Sequence, residues 1–230
     1  MLNCSRQCSG TAHRRAMSLV LLCLFLMALC LGFAAPSLAA GTAAAARQCI
    51  VQAGKAVDSA DTAAFEKLVD MDGILAAALD IFVRRAKQPQ AAAELPPMLA
   101  ILFSQAASGE QGSATVRALL LNESRAFIVN GISSGAFAGR KVEGRAAQGV
   151  LAPLFADASI GRKEIRQVGE ARAKNGDWLV PFTVYDHGNG ESYRVNGRVN
   201  FDGGSTGRLV AVENLEALMG QVAEESRSVQ

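Results

Sequence analysis

The sequence predicts an α+β fold: N-terminal helices packed on one face of a C-terminal four-stranded antiparallel meander, with a closing helix. Two observations predict it. Apolar residues recur at helical spacing through 43–157 and then alternate through 163–214, with turn residues between the runs. The strand side chains are apolar on one side only, so one sheet face needs a helical layer against it.

The first 39 residues read as an address. Arg6, Arg14 and Arg15 precede an uncharged 18-residue run, Ala16 to Phe33. Pro36 breaks the run, and Ser37-Leu38-Ala39 offers the small-x-small site of a signal peptidase. Cleavage is expected near Ala39, with the product exported to a periplasmic or extracellular space. Kept instead, the run is near the minimum length for a membrane span. It is the one segment from which membrane contact is expected. Leu22, Leu29 and Gln48 precede Cys23, Cys30 and Cys49, which does not suit lipid attachment.

Removing the address changes the charge. Three of the 23 Lys+Arg go with it and none of the 21 Asp+Glu, so 20 against 21 leaves −1. A near-neutral domain has no global basic field for nucleic acid. Cys4, Cys8, Cys23 and Cys30 leave with the address, and Cys49 stays as a single thiol. It reads as a small apolar residue on a helix face.

The domain, 40–225, begins with helices. The first spans about Ala43 to Val57, with Asp58 and Asp61 placed to end it and cap the next. Phe65, Leu68 and Val69 line a short second helix. Asp72 is expected to cap a third, where Ile74, Leu75, Leu79, Phe82 and Val83 keep helical spacing and Asp80 can pair with Arg84. Pro89 stops it. Pro96-Pro97 can open a fourth, the most apolar stretch of the domain. A fifth starts near Ser113 and ends at Asn130-Gly131, and a short sixth covers Gln148 to Phe155.

The strands follow. Glu164 to Ala173 is the first, and Asn175-Gly176 is a two-residue hairpin signal. Trp178 to Asp186 is the second and Glu191 to Phe201 the third. Arg208 to Glu213 is the fourth. The closing helix runs over 215–224, and 226–230 reads as a disordered tail.

Two stretches carry a resemblance. "AGKAVDSADTAAFEKLVDMD" (53–72) resembles the opening of nuclear-transport-factor-2-like domains, and the ladder 178–201 resembles their strand half. The helical insert between them departs from that plan. Exported phospholipid carriers of the toluene-tolerance type are similar in placing helices first and the sheet last. The resemblance implies a pocket and no particular reaction.

The chemistry-bearing motifs are few. Gly131-Ile132-Ser133-Ser134-Gly135 matches G-x-S-x-G, and His187 is the single histidine beyond the address. Asp157 or Asp177 could complete a Ser-Asp-His order with Ser133 and His187. Yet the segment before Ser133 reads as helix rather than strand, and no HGGG-like oxyanion segment is present. Asp70 to Gly73 fails as a calcium loop, because positions one and twelve fall on Leu68 and Leu79. "DGGSTG" (202–207) has no lysine for a phosphate loop. No metal or cofactor is expected. Basic "GRKVEGR" (139–145) reads as a surface loop, with contact to anionic headgroups as the alternative.

The apolar residues leave two options. Met98, Leu99, Leu102 and Phe103, with Trp178, Phe182, Tyr193 and Phe201, either fill one core or line an open pocket between helices and sheet. The expectation is a non-catalytic exported binding or accessory protein, whose ligand is a lipid or another apolar small molecule. The alternatives are an envelope protein partner bound through the wet sheet face with Arg194, Asn196 and Arg198, and a serine hydrolase using Ser133 and His187.

Overall fold

The structure, a computed structural model, describes residues 41–88, 97–108, 111–142 and 161–228. The expected address and cleavage site, and the helix expected at 148–155, lie outside them. The fold class is α+β, as the periodicity predicts. No described helix is long and apolar enough to cross a membrane.

Helix α1 covers Ala43–Ser59, opened by the Thr42 side chain on the Ala45 N–H. Asp61 caps α2, Thr62–Leu68, as expected. Helix α3, Met71–Ala86, is capped by Asp70 rather than Asp72. Asp72 sits in the first turn, where an acidic group suits the helix dipole, and it pairs with Arg125 at 2.7 Å. Asp80 does not pair with Arg84 either. Asp80 takes Arg117, and Arg84 takes Glu216 at 3.3 Å. A local i,i+4 pair is worth only a few tenths of a kcal/mol, ~0.3–0.5, so tertiary partners displace it easily.

Helix α4 is Pro97–Ala107 and α5 is Gln111–Ser133. α5 runs through Asn130-Gly131 instead of ending there. The left-handed residue is Gly135, at φ 76°, which leads into a 3-10 turn over Ala136–Ala138. Helix α6 is Leu215–Ser228, so the expected tail is helical as far as 228.

The sheet has strands β1 Lys163–Arg166, β2 Arg172–Lys174, β3 Asp177–Asp186, β4 Glu191–Asn200 and β5 Arg208–Val212. The order is β1-β3-β4-β5, and β2 also pairs with β3. All these pairs are antiparallel. The strand expected over 164–173 is therefore one broken edge strand. The break lies opposite Pro181, whose carbonyl accepts from the Gly169 N–H at 2.8 Å. Proline has no N–H to return, so the ladder cannot continue there. Gln167 turns the chain at φ 51°. Asn175 and Gly176 form the hairpin turn, at φ 51° and 87°.

Trp178, Val180, Phe182 and Val184 share the inner face with Val195 and Val199, as the alternation predicts. Ile50 of α1 presses on the middle of that face. Beneath it Gly197 leaves room for Leu209 and Phe182, since a Cβ there would lie 2.7 Å from the first and 3.0 Å from the second. Around these residues the first core closes, with Ala46, Cys49, Ala53, Val69 and Met71.

A second core lies apart from the sheet. It consists of Leu79 and Val83 from α3, Leu99, Phe103 and Ala106 from α4, and Leu120 from α5. α3 and α5 serve both cores. Ile74, Leu75, Ile128 and Val129 pack on the first, while the other halves of the two helices carry the second. α4 packs on α3 and α5.

Candidate functional site

Ser133 does not sit on a strand-to-helix elbow. It is the last residue of α5, and its hydroxyl donates to the Asn130 carbonyl at 3.4 Å. The two glycines of the motif have packing reasons. A Cβ on Gly131 would stand 2.4 Å from the Phe137 ring, so glycine lets the 3-10 turn fold back onto the helix. Gly135 supplies the left-handed turn that redirects the chain. Helix end and return account for "GISSG".

His187 is engaged elsewhere. Its Nε2 lies 2.8 Å from Glu164 Oε2, and its ring meets Tyr185 edge-on at 4.7 Å. Glu164 also accepts from Arg166 at 2.7 Å, and the Arg166 guanidinium lies 4.0 Å over the Tyr185 ring. Arg166 first, and His187 second, lower the Glu164 carboxyl from 4.5 to about 2. Asp186 is occupied by Lys163 at 2.6 Å and by the Gly188 N–H. Asp177 is held by Asn200 at 2.5 Å and by Arg198. Asp157 lies outside the described residues. Ser133 and His187 thus each have their own partners, and among the described residues no hydrogen bond joins them.

The sequence alone does not set Glu164 apart from the other strand residues. Its partners were hidden because β1 pairs with β3, which puts Tyr185 directly opposite Glu164. Alternation puts Arg166 on the same face, but the cross-strand register is not local information.

The eight residues expected to line one pocket are divided. Phe182 and Phe201 are buried in the first core, and Trp178 packs against it with its indole N–H on the Gly41 carbonyl at 2.8 Å. Tyr193 lies at the turn end of β4 and accepts from Asn189 at 2.8 Å. Leu99, Phe103 and the half-buried Leu102 belong to the second core. Met98 is 66% exposed. The helical residues and the sheet residues therefore do not face one space. The physical reason is the overhang: α4 packs on α3 and α5 rather than on the strands.

α4 has apolar side chains on two opposite faces. Leu99 is 1% exposed and Phe103 3%, while Met98 and Ile101 are 66% and 59% exposed. Phe103 stacks obliquely on Phe82 of α3, ring centres 4.4 Å apart. No residue of α4 is charged.

The wet sheet face carries a charge lattice. Arg198 reaches Asp177 at 3.4 Å and Glu213 at 3.6 Å, and Lys174 holds Glu213 at 3.0 Å. Lys174 first, then Arg198, lowers the Glu213 carboxyl. The Asn196 N–H donates to Asn214 at 2.8 Å. Of the three residues expected to bind a partner there, Arg198 has its side chain engaged in this lattice, while Asn196 and Arg194 meet Asn214 through their backbone.

Cys49 is buried in the first core, and its thiol donates to the Gly207 carbonyl at 3.1 Å. Burial pushes it up to about 11. It is the apolar helix-face residue the sequence suggested. Asp70, in the rejected calcium stretch, caps α3 and pairs with Arg208 at 3.3 Å. Among the described residues no cluster of His, Cys, Asp or Glu is arranged to hold a metal ion.

No family model, curated protein or solved structure matches the chain.

Proposed function

We propose that this protein is an exported, non-catalytic binding protein for a lipid or similar amphiphile, and that α4 is the element that meets the ligand. The observation that carries the reading is the two-faced apolar helix, with Met98 and Ile101 turned to solvent while Leu99 and Phe103 are buried. Neighbouring large apolar side chains left in water mark a surface that is covered in use. The absence of charge on α4 favours an acyl chain over a partner that needs ionic register. The apolar, cleavable start of the chain would deliver the protein to an envelope, where such molecules are present. The nuclear-transport-factor-2-like plan is compatible with a binding role, with the ligand moved from the helix–sheet interface to the helical overhang.

The test is mass spectrometry of amphiphiles co-purified with the exported protein. The wild type should carry one, and Met98→Ser/Ile101→Ser should lose it. Both side chains are about two-thirds exposed. Covering both is worth about 2–3 kcal/mol, which is roughly 30- to 150-fold in retention. Equal retention by the double variant would remove α4 from the binding surface.

A further inference from the structure

We infer that α4 is a displaceable roof, and that the apolar trough beneath it, between α3 and α5, is where the acyl chain of the amphiphile is held. The inference rests on the binding reading above and adds the site and its opening.

The argument is an asymmetry in how the three helices are fastened. α3 and α5 are tied to each other twice, by Arg117 with Asp80 and by Arg125 with Asp72 at 2.7 Å. They are anchored again below, where Ile74, Leu75, Ile128 and Val129 join the sheet core. α3 is also fixed to α6, through Arg85 on the Glu216 carbonyl at 2.8 Å. These ties do not involve α4, so the two walls of the trough keep their spacing without it.

α4 is fastened differently. Among the described residues its one side-chain hydrogen bond to another helix is from Ser113 to the Ala106 carbonyl, at 3.3 Å. That bond is at its C-terminal end. Along the rest of its length its side-chain packing among the described residues is apolar contact, which has no preferred direction and no required partner atom. The outward apolar residues, Met98 and Ile101, lie in its N-terminal half, while Ser104 and Gln105 face water nearer the tie. The end free to lift is therefore the end that meets an apolar phase most readily.

Lifting α4 bares Leu79, Phe82 and Val83 on one wall and Val116, Leu120 and Leu121 on the other. All six are apolar, so the vacated trough offers no polar anchor and suits a hydrocarbon chain. An 11-residue helix spans ~16 Å, the scale of a medium-length acyl tail. Exchanging α4 for such a tail swaps one apolar cover for another.

The experiment uses the full chain and palmitic acid bearing a mid-chain diazirine. After irradiation, peptide mapping should place the label on 79–83 and 116–121. Hydrogen exchange with the same acid should show α4 amides exchanging at least tenfold faster while α3 and α5 hold their protection. Leu120→Phe, which fills the trough, should lose the label there. Label confined to Met98 and Ile101, with α4 exchange unchanged, overturns the roof but leaves surface binding intact. No label anywhere overturns both this inference and the binding reading.

Discussion

Leu99→Ala should loosen α4 without loosening the sheet. Leu99 is 1% exposed and sits in the second core with Phe103 and Leu120. Truncating a buried leucine costs about 2.7–5 kcal/mol, the lost transfer energy plus the cavity left behind. α4 packs on α3 and α5, while those helices have their own ties. The loss should therefore appear first as local opening of α4. Each 1.4 kcal/mol is tenfold in an equilibrium constant, so about 2.7 kcal/mol speeds α4 exchange by roughly 100-fold under native conditions. The amides of β3 and β4 should hold near their wild-type protection. Ile50→Ala is the control, since Ile50 is fully buried against Gly197 in the first core and its loss should raise exchange across the sheet. If Leu99→Ala speeds the sheet amides as much as those of α4, the two cores form one cooperative unit and the reasoning is wrong.

Two further outcomes follow from the titrating groups. The Cys49 thiol, raised to about 11 by burial, should react with a maleimide at pH 8 only as fast as the fold opens. Fast labelling without denaturant would mean that the first core does not close over it. Glu164, lowered from 4.5 to about 2, stabilises the fold above pH 4.5, and that contribution is lost as pH falls toward 2. Glu164→Gln should therefore have a flatter acid limb over that window, read as Tm against pH. An acid limb identical to wild type would mean that the Arg166 and His187 bonds are not kept in solution.

The sequence made the elements legible and left their neighbours obscure. Alternation in 178–201 assigns Trp178, Val180, Phe182 and Val184 to one face, because the two-residue period is a property of the strand itself. The hairpin at Asn175-Gly176 is local for the same reason. What failed was non-local. Pro181 breaks the edge opposite it, so 164–173 splits although its own residues read as one strand. Asp80 was free to choose Arg84 or Arg117, and spacing along α3 shows only the first. The apolar stretch with Met98, Leu99, Leu102 and Phe103 calls for a cover but does not identify the surface that supplies it. That surface proved to be α3 and α5, so the expected pocket walls separated.

The composition of α4 argues against a purely structural part. A helix that only closed the overhang would need one apolar stripe. Leu99, Leu102, Phe103 and Ala106 already supply it at helical spacing. Positions 98 and 101 could then be lysine or glutamate at no cost to that packing, since both point outward. Methionine and isoleucine there lower solubility and invite association. A folding requirement does not explain them, because the buried stripe is complete without them. The proposed exchange of water for hydrocarbon at this surface does. The proposed roof fits the same demand: it carries no charge, and among the described residues its side-chain bond to another helix lies at its C-terminal end, whereas an ionic staple at Met98 would fasten the end proposed to lift.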